Sequence, residues 1–596
     1  MSHRQFSGIL IVIDDQNEVI FRGGCFSSHF NLFFGYVAAR HDHKFGLGEI
    51  TEVYEIEVRA DNLRFTVRTD RFGKQNGIKT ITGGVQVAAH LLGIDVGTSG
   101  TKTILVDLKG KVIASAAESY PLLTPKPGWT EQDPEDWWRA TKKTIRKVLK
   151  VSGVNAKSIK GIGFSGQMHG SVFLNRDHEV VRPCLLWNDN RTAEVCEEVT
   201  RHIGQKALHK AVSNPCLTGF TLPKVVWLKK HEPRSFEKVR HVILPKDYVR
   251  FRLTGEILTE VSDAAGTLMF DVRNNNWSGT ILDGLGIPRE FLPEVRGSQE
   301  VCGTITRMVA KETGLAEGTP CVGGAADQPA GAVGTGVVNH GQVMCSLGTS
   351  GVVFAATGAP QVDPKERLHT FNHAVPDTWY LMGCMLSAGG SLAWYRDHFA
   401  DSERREARKR KIDVYEILME KAARAPIGSE GLFFLPYLTG ERSPHKDPYA
   451  RGAFVGLSVR STPDHLIRSI VEGVTFGLRD CLEVVRQQKV NVSEVRATGG
   501  GARSPFWRQV LADVLQAPIA ILESEEGGAM GGAILASVGS GEYKDVQQAC
   551  SKMLKVKSRV KPRKKNVAAY EPYYEAFTTL YPTLKRSFRM CVDLGA

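Results

Sequence analysis

Residues 91–107, LLGIDVGTSGTKTILVD, contain the feature that decides the fold. The apolar run at 91–96 leads into the turn Gly97-Thr98-Ser99-Gly100, and a second run follows the turn. A third run at 112–117 lies beyond another glycine-containing bend. Short apolar runs separated by glycine turns are typical of strands, so this segment predicts a three-stranded meander with a phosphate-sized turn at its first bend.

The pattern of strand, turn and strand occurs twice in the chain. The segment Val96-Gly97-Thr98-Ser99-Gly100 is repeated as Leu347-Gly348-Thr349-Ser350-Gly351, and each copy lies between two apolar runs. Residues 137–151 have helical periodicity and 161–164 form the next predicted strand. Strands and helices alternate from there, which indicates α/β layers. Two domains of similar topology, each presenting one turn to a shared cleft, explain the repeat.

The first turn has the residue types that bind phosphates. Glycines allow a tight bend that aims backbone N–H groups at phosphate oxygens. Thr98 and Ser99 add hydroxyl donors, and Lys102 follows with a positive charge. Asp95, at the end of the preceding strand, can orient Mg²⁺ through water. The alternative is an ordinary hairpin with an aspartate at its edge.

Composition excludes several classes of protein. The 596 residues are 42% hydrophobic and 23% charged, as in ordinary globular proteins and unlike disordered or coiled-coil chains. The net charge of +12 suits an anionic ligand such as a nucleotide. The basic runs at 404–411 and 552–565 contain no interleaved aromatic residues, which favours solvated surface over nucleic-acid binding.

Cysteine usage and hydropathy predict a cytoplasmic protein without a membrane span. The eleven cysteines include no Cys-x-x-Cys pair and no zinc-type spacing, so we expect reduced thiols. The longest uncharged stretch is interrupted by glycine and serine. Residues 1–88 carry acidic residues where a signal peptide needs an apolar core. This extension is either a small β module or the product of a wrongly assigned start site.

One acidic residue, Asp327, lies among small residues in Gly323-Gly324-Ala325-Ala326-Asp327-Gln328-Pro329. Small neighbours allow a substrate to approach and leave the carboxylate without a protein cation. Such a carboxylate can accept a proton from a substrate hydroxyl. The competing role is that of a helix N-cap.

Two further motifs follow predicted strands and carry groups that bind sugar hydroxyls. Gly166-Gln167-Met168-His169-Gly170 follows one strand, and Trp187-Asn188-Asp189-Asn190-Arg191 follows another. Polar side chains at the carboxyl ends of strands point into the crevice of an α/β sheet. The alternatives are a buried structural histidine and a packing tryptophan beside a surface ion pair.

Glycine runs precede two predicted helices near the C-terminus. Thr498-Gly499-Gly500-Gly501-Ala502-Arg503 precedes the helical stretch 505–515, and a glycine run at such a position admits a flat ring or a phosphate. Gly527-Gly528-Ala529-Met530-Gly531-Gly532 begins another helix, where close helix packing through small residues is the alternative.

Taken together, these residues resemble the FGGY family of carbohydrate kinases over roughly 91–585. The segments GFTLPKVVWLKKH at 219–231 and GAFVGL at 452–457, the latter followed by His465-Leu466 and Val471-Glu472, are similar to its two signatures. The resemblance implies two actin-like, ribonuclease-H-like domains with a cleft between them: 89–335, carrying the sugar site, and 336–545, carrying the nucleotide site. A C-terminal helical tail at 546–596 follows, and the extension at 1–88 has no family counterpart.

The resemblance also implies roles for individual residues. Asp327 would be the catalytic base, and Asp95 would handle Mg²⁺. The sugar would contact the group Met168, His169, Trp187, Asp327 and Gln328. ATP would contact the two turns and the glycine run, at Gly97, Thr98, Ser99, Lys102, Gly348, Thr349, Ser350, Gly500, Gly501 and Ala502.

Within the family, SGQMHG at 165–170, LPKDYVRFRLTG at 244–255 and SDAAGT at 262–267 are most similar to the members that phosphorylate D-xylulose with ATP. One departure bears on the sugar, because Gln328 stands where those members have asparagine. Phosphorylation of ribulose, sedoheptulose or a polyol stays open as an alternative, as does a non-catalytic sugar sensor. A homodimer is common among such kinases.

Overall fold

The computed structural model describes residues 88–595 and the backbone of six strands within residues 10–84. Residues 1–88 and 89–596 are separate units. The strands of the first unit are β1 (Leu10–Ile13), β2 (Val19–Arg22), β3 (Val37–Ala38), β4 (Glu52–Arg59), β5 (Arg64–Arg71) and β6 (Ile81–Gly84). β1 and β2 form an antiparallel hairpin, and β3 to β6 form a four-stranded antiparallel sheet.

The N-terminal half of the second unit contains fifteen strands and ten α-helices. Its strands are β7 (His90–Val96), β8 (Gly100–Asp107), β9 (Val112–Ser119), β10 (Glu131–Gln132), β11 (Ile159–Gly166), β12 (Val172–Leu174), β13 (Cys184–Leu185), β14 (His241–Ile243), β15 (Leu258–Glu260), β16 (Phe270–Asp271), β17 (Asn276–Trp277), β18 (Glu294–Arg296), β19 (Val301–Thr304), β20 (Pro320–Val322) and β21 (Ala325–Ala326). Its helices are α1 (Pro134–Ser152), α2 (Ala193–Ile203), α3 (Gln205–Val212), α4 (Thr221–His231), α5 (Pro233–Phe236), α6 (Pro245–Thr254), α7 (Val261–Ala265), α8 (Gly279–Leu285), α9 (Arg307–Thr313) and α10 (Asp327–Gly334).

The C-terminal half of this unit contains nine strands and eight α-helices. Its strands are β22 (Gln342–Leu347), β23 (Gly351–Thr357), β24 (His369–Asn372), β25 (Trp379–Met385), β26 (Phe433–Leu435), β27 (Ala453–Val455), β28 (Glu494–Thr498), β29 (Ile519–Leu522) and β30 (Val556–Val560). Its helices are α11 (Gly389–His398), α12 (Asp401–Arg410), α13 (Val414–Arg424), α14 (Pro463–Gln487), α15 (Pro505–Leu515), α16 (Gly527–Gly539), α17 (Val546–Met553) and α18 (Lys564–Leu594).

The predicted meander is present at the N-terminal end of this unit. β7, β8 and β9 are antiparallel neighbours, and β11 adds to β7 in parallel. The predicted helix starts three residues earlier than its apolar periodicity, at Pro134. The Asp133 side chain caps it by accepting a hydrogen bond from the backbone N–H of Glu135, and proline suits the first helical position.

The C-terminal sheet has the same topology around its own turn. β22 pairs with β23 in the antiparallel sense, β23 pairs with β25, and β28 adds to β22 in parallel. The turn at 97–99 joins β7 to β8, and the turn at 348–350 joins β22 to β23. The sequence repeat therefore corresponds to a structural repeat, and the two-domain α/β architecture expected from it is confirmed.

Helices α10 and α16 pack between the two sheets through small residues. A Cβ atom at Gly163 of β11 would collide with the carbonyl oxygen of Gly532, and one at Gly334 would collide with that of Gly527. Glycine at these positions allows backbone to lie against backbone. The glycines at the start of α16 therefore serve close packing, the alternative considered for that run.

The expected helical tail at 546–596 needs a correction. The segment contains α17 and α18, but between them β30 pairs antiparallel with β29 and becomes the edge strand of the C-terminal sheet. In Val556–Val560, VKSRV, the half-buried Val556, Ser558 and Val560 alternate with the exposed Lys557 and Arg559, which is the period of an edge strand.

Candidate active site

A cavity of about 770 Å³ lies where the edges of the two halves face each other. Several residues that the sequence singles out line it: Asp95, Lys102, Asp327, Gln328 and Ala502. Its far wall is formed by residues of α15, β29 and β30, among them Arg508, Leu522 and Lys557. The other predicted site residues do not line this cavity, and their positions are described below.

Asp327 is the first residue of α10, and Ala326 holds the N-cap position. The carboxylate accepts hydrogen bonds from the next residue, Gln328, with the backbone N–H at 2.9 Å and Nε2 at 3.3 Å. Burial raises the pKa of Asp327 to about 7, and the negative charge of Asp95 raises it as well. A carboxyl group with such a pKa exchanges its proton near neutral pH, as a general base must.

Asp95 is the penultimate residue of β7 and is held by its neighbours on three sides. Its Oδ1 accepts a hydrogen bond from Ser165 Oγ at 2.7 Å. A Cβ atom at Gly528 would lie only 3.2 Å from that oxygen, so the start of α16 lies against the carboxylate. Lys102 stands opposite Asp95 in the strand register. Burial raises the pKa of Asp95, while Ser165 and Lys102 lower it.

The Lys102 ammonium forms an ion pair across the cavity with Glu526, at 2.5 Å between Nζ and Oε2. Glu526 occupies the N-cap position of α16. Sequence reasoning did not identify Glu526, because its role depends on the approach of a helix far away in the chain.

The donor set in this cavity suits a hard cation. Asp95 and Asp327 both line it, and their mutual repulsion contributes to the raised pKa of Asp327. Among residues 88–595 no cluster of three or more His, Cys, Asp or Glu side chains forms a metal cage. Mg²⁺ is usually held by one or two carboxylates together with substrate phosphates and water, so the residues fit this ion.

The first turn, residues 97–99, is anchored by side chains outside it. Two buried glutamines, Gln132 and Gln167, reach the turn. Gln132 Nε2 donates to the carbonyl oxygen of Thr98 at 2.6 Å, and the Tyr120 hydroxyl donates to that of Gly97. Neither Gln132 nor Tyr120 carries a motif that sequence reasoning could use.

The second turn, residues 348–350, is anchored by backbone. The N–H groups of Ala388 and Gly390 donate to the carbonyl oxygen of Thr349 at 2.8 and 3.0 Å. A Cβ atom at Gly499 would lie 3.0 Å from the backbone nitrogen of Gly348, so the glycine run lies against this turn. Gly500 and Gly501 begin a short 3₁₀ helix that ends at Arg503, directly before α15. The structure thus brings the second turn and the glycine run together.

Met168 and His169 lie two and three residues after the end of β11. Met168 is buried, and His169 adopts a left-handed backbone conformation with φ of 67°. His169 Nδ1 lies 2.6 Å from the carbonyl oxygen of Gly266. Burial lowers the pKa of His169 well below its ordinary value, so the imidazole is neutral. Nδ1 then carries the proton, since a carbonyl oxygen can only accept, and Nε2 is left as an acceptor.

Lys224 holds the backbone of His169 by a hydrogen bond. Its buried ammonium donates to the carbonyl oxygens of His169 at 2.9 Å and Gly219 at 2.7 Å. Burial lowers the pKa of Lys224 to about 7. The residue lies within the first signature-like segment, but nothing in the sequence shows that its partners are backbone carbonyls.

Trp187 keeps 37% of its surface exposed. Its indole Nε1 donates to Thr98 Oγ1 at 2.9 Å, which joins this residue to the first turn. The neighbouring Asp189 and Arg191 differ from the expectation that they offer contacts to hydroxyl groups. Their side chains are fully buried and pair with each other at 2.8 Å, and the Arg191 guanidinium lies 3.7 Å from the ring centre of Trp129.

Comparison with known proteins agrees with these features. The sequence model for the N-terminal domain of the FGGY family of carbohydrate kinases matches residues 90–334, and that for its C-terminal domain matches 343–540. The xylulose kinase of Bacillus subtilis (strain 168) is 40% identical over 496 residues, covering 83% of this chain and 97% of that protein. The gluconokinase of the same organism is 30% identical over 509 residues, covering 85% and 98%.

Solved structures give the same result. The crystal structure of a xylulose kinase from Rhodospirillum rubrum superposes with a TM-score of 0.78 at 30% identity. The match covers 84% of this chain and 99% of that one. Both family models match within the second unit, at residues 90–334 and 343–540.

Proposed function

The chain belongs to the FGGY family of carbohydrate kinases, and we propose that it transfers the γ-phosphoryl group of ATP to D-xylulose, giving D-xylulose 5-phosphate. That it is a sugar kinase, an enzyme that binds a sugar and uses ATP, follows from the family. The choice of D-xylulose is supported by the similarity to xylulose kinases and by the SGQMHG segment that carries Met168 and His169.

The observation that carries the mechanism is the environment of Asp327, which lines the cavity and has a pKa raised to about 7. We assign Asp327 as the base that accepts the proton of the terminal sugar hydroxyl. The sugar oxygen forms a bond to the γ-phosphorus, and the bond from that phosphorus to the β–γ bridging oxygen breaks, so that ADP leaves. A general base contributes about 10²–10⁴-fold to the rate.

Asp95, with Asp327 nearby, would hold Mg²⁺ at the edge of β7. When bound, this ion neutralises charge on the transferring phosphoryl group. Asp95 has a second effect that does not require the ion, because its negative charge raises the pKa of Asp327. Ser165 fixes the Asp95 carboxylate by its 2.7 Å hydrogen bond.

We place the sugar over Met168, His169 and Trp187, with Gln328 beside the base. The exposed Trp187 ring offers a flat apolar face to sugar C–H groups. The neutral His169 and the Gln328 amide offer hydrogen bonds to hydroxyls. We assign this sugar site to the N-terminal domain, residues 89–335.

The nucleotide would occupy the C-terminal side of the cleft, in the domain assigned to 336–545. The contacts proposed for ATP are the backbone groups of Gly97, Thr98, Ser99, Gly348, Thr349 and Ser350, the hydroxyls of Ser99, Thr349 and Ser350, the charge of Lys102, and the run Gly500, Gly501 and Ala502. Lys102 is paired with Glu526 at 2.5 Å, so a phosphate would have to replace this partner.

A second candidate function is phosphorylation of another ketose, such as ribulose or sedoheptulose, of a polyol, or of a sugar acid by the same mechanism. Gln328 favours it, since glutamine reaches one methylene further than the asparagine expected of the D-xylulose kinases. The similarity to a gluconokinase gives it a second support. The reaction chemistry would be unchanged, because the base and the turns do not depend on which sugar is bound.

The test is an ADP-release assay with Mg-ATP and a panel of acceptors. The panel contains D-xylulose, D-ribulose, L-ribulose, sedoheptulose, glycerol and D-gluconate, with Asp327→Asn as the matched inactive control. A preference for D-xylulose that disappears in the control supports the proposal. Preference for another acceptor moves the function to that substrate, and sugar-independent ADP release in the control would show a contaminating ATPase.

A further inference from the structure

A chain of hydrogen bonds joins the exposed Trp187 to the first turn and to the core. Trp187 Nε1 donates to Thr98 Oγ1 at 2.9 Å, and Thr98 Oγ1 donates to Gln167 Oε1 at 3.1 Å. Gln167 Nε2 donates to Gln132 Oε1 at 2.9 Å. The same oxygen of Gln132 accepts from Trp137 Nε1 at 3.0 Å.

The two tryptophans fix the direction of every bond in this chain. An indole N–H can only donate, so Trp137 requires an oxygen on Gln132 and thereby orients its amide. Gln167 must then place its NH₂ toward that oxygen and its own oxygen toward Thr98. The Thr98 hydroxyl therefore gives its single proton to Gln167 and accepts from Trp187.

This polarity changes what the first turn can offer to a ligand. Sequence reasoning counted the Thr98 hydroxyl as a donor to phosphate, but its only proton is committed to Gln167. The donors left at the turn are the backbone N–H groups of Thr98 and Ser99 and the Ser99 hydroxyl. The placement of these groups depends on Gln132, whose Nε2 holds the Thr98 carbonyl oxygen at 2.6 Å.

We propose that Trp187, Thr98, Gln167 and Gln132 form a positioning relay, through which a sugar bound over Trp187 increases the affinity of the first turn for the phosphates of ATP. The inference rests on the proposed function, since it requires the sugar to lie on Trp187. Gln132 and Gln167 are positioning residues in this scheme. They are 1% and 2% exposed and are positioned to act on the phosphates through Thr98.

The physical basis is the exposure of Trp187. An exposed side chain must lose rotamer freedom before its hydrogen bond to Thr98 is permanent. A sugar stacked on the ring supplies that restriction, and the turn is then already ordered when ATP binds. Coupling of this kind is reciprocal, so ATP must increase the affinity for the sugar by the same factor. We expect about a fivefold effect, the size of one net hydrogen bond.

The experiment measures the dissociation constant of a non-hydrolysable ATP analogue with and without the sugar that the acceptor panel selects. The full-length protein is compared with Trp187→Phe, which keeps an aromatic face and loses the N–H, with Thr98→Val, and with the double variant. Trp277→Phe is the matched control, because its indole donates to the carbonyl oxygen of Pro293 at 2.9 Å, outside the cleft. Thermal unfolding confirms that each variant is folded.

We expect the sugar to tighten analogue binding about fivefold in the wild type and in Trp277→Phe. In Trp187→Phe and in Thr98→Val the factor falls to about one, and the double variant shows no further loss, as for two residues of one unit. The relay is wrong if the wild type shows no coupling or if Trp187→Phe keeps it. It is also wrong if the losses of analogue affinity in the two single variants multiply in the double variant. That result would mean that Thr98 contacts phosphate independently of Trp187.

These outcomes are separable from failure of the proposed function. If D-xylulose is not phosphorylated by the wild type, the substrate assignment fails and the binding experiment proceeds with the acceptor that is. If D-xylulose is phosphorylated and the coupling survives in Trp187→Phe, the relay fails and the substrate assignment stands.

Discussion

The pH dependence of the reaction tests whether Asp327 is the base. Burial and the charge of Asp95 raise the pKa of Asp327 to about 7. A carboxyl group with that pKa is about 9% ionised at pH 6 and about 91% ionised at pH 8. Because only the carboxylate accepts a proton, we expect kcat/KM to fall about tenfold for each pH unit below 7 and to level off above it.

Two variants move this acidic limb in opposite directions. Asp95→Asn removes the neighbouring negative charge, so the pKa of Asp327 falls and the limb shifts to lower pH. Gln328→Leu removes the Nε2 donor that lies 3.3 Å from the carboxylate and stabilises its charged form, so the limb shifts to higher pH. Each profile is normalised to its own maximum, which removes the loss of rate that Asp95→Asn causes for other reasons.

The assay is initial-rate ADP release at subsaturating sugar from pH 5.5 to 9 at constant ionic strength. Under these conditions kcat/KM reports groups on the free enzyme. A rate that stays constant between pH 6 and 8 would show that no group with a pKa near 7 is required. A limb that moves in the same direction in both variants would assign the titration to another residue.

Three further predictions follow from the same structure. Asp327→Asn should bind sugar normally and lose at least about a hundredfold in kcat, measured by ADP release and by sugar binding; wild-type turnover would refute Asp327 as the base. A protein of residues 89–596 should be soluble and active, since they form a separate unit; insoluble protein would show that the extension is needed for folding. Gly163→Ala should lower the free energy of unfolding by at least about 2 kcal/mol, because its methyl group would collide with the carbonyl of Gly532; an unchanged urea midpoint would contradict this packing.

The parts of the fold that sequence reasoning predicted correctly are local. The meander at β7 to β9 depends on successive apolar runs and on the glycine turns between them. Both signals lie close together in the sequence, so they predict the meander directly. The repeat at 347–351 then fixed the two-domain arrangement, because the same local pattern must build the same supersecondary unit twice. The start of a helix is predicted less accurately. Helix α1 begins at Pro134, three residues before its first apolar position, because its capping residue lies outside the apolar periodicity.

The parts that sequence reasoning missed depend on partners far away in the chain. Asp189 and Arg191 were expected to face a ligand, yet they satisfy each other in the interior. The tail was expected to be helical, yet β30 extends the sheet by pairing with β29. In both cases the residue types are compatible with either outcome. The outcome is determined by the surface that packs against these residues in the folded protein.

The two turns show why sequence identity does not give identical behaviour. Both have the sequence Gly-Thr-Ser and both join antiparallel strands, but their carbonyl oxygens accept from different kinds of donor. The turn at 348–350 is held by backbone N–H groups at the start of α11, and these bonds are part of a helix end. The turn at 97–99 is held by the side chains of Gln132 and Tyr120.

This difference matters for response to a ligand. Side-chain hydrogen bonds can rearrange by rotation about single bonds, whereas the backbone bonds of the second turn change only if the start of α11 shifts relative to the turn. The N-terminal turn is therefore the one that can respond to a ligand bound beside it, and it is hydrogen-bonded to Trp187, over which we propose that the sugar binds. The C-terminal turn is held by backbone alone and lies against the glycine run, where we propose that the nucleotide binds. The proposed coupling between sugar and ATP depends on this asymmetry, which the repeated Gly-Thr-Ser sequence does not reveal.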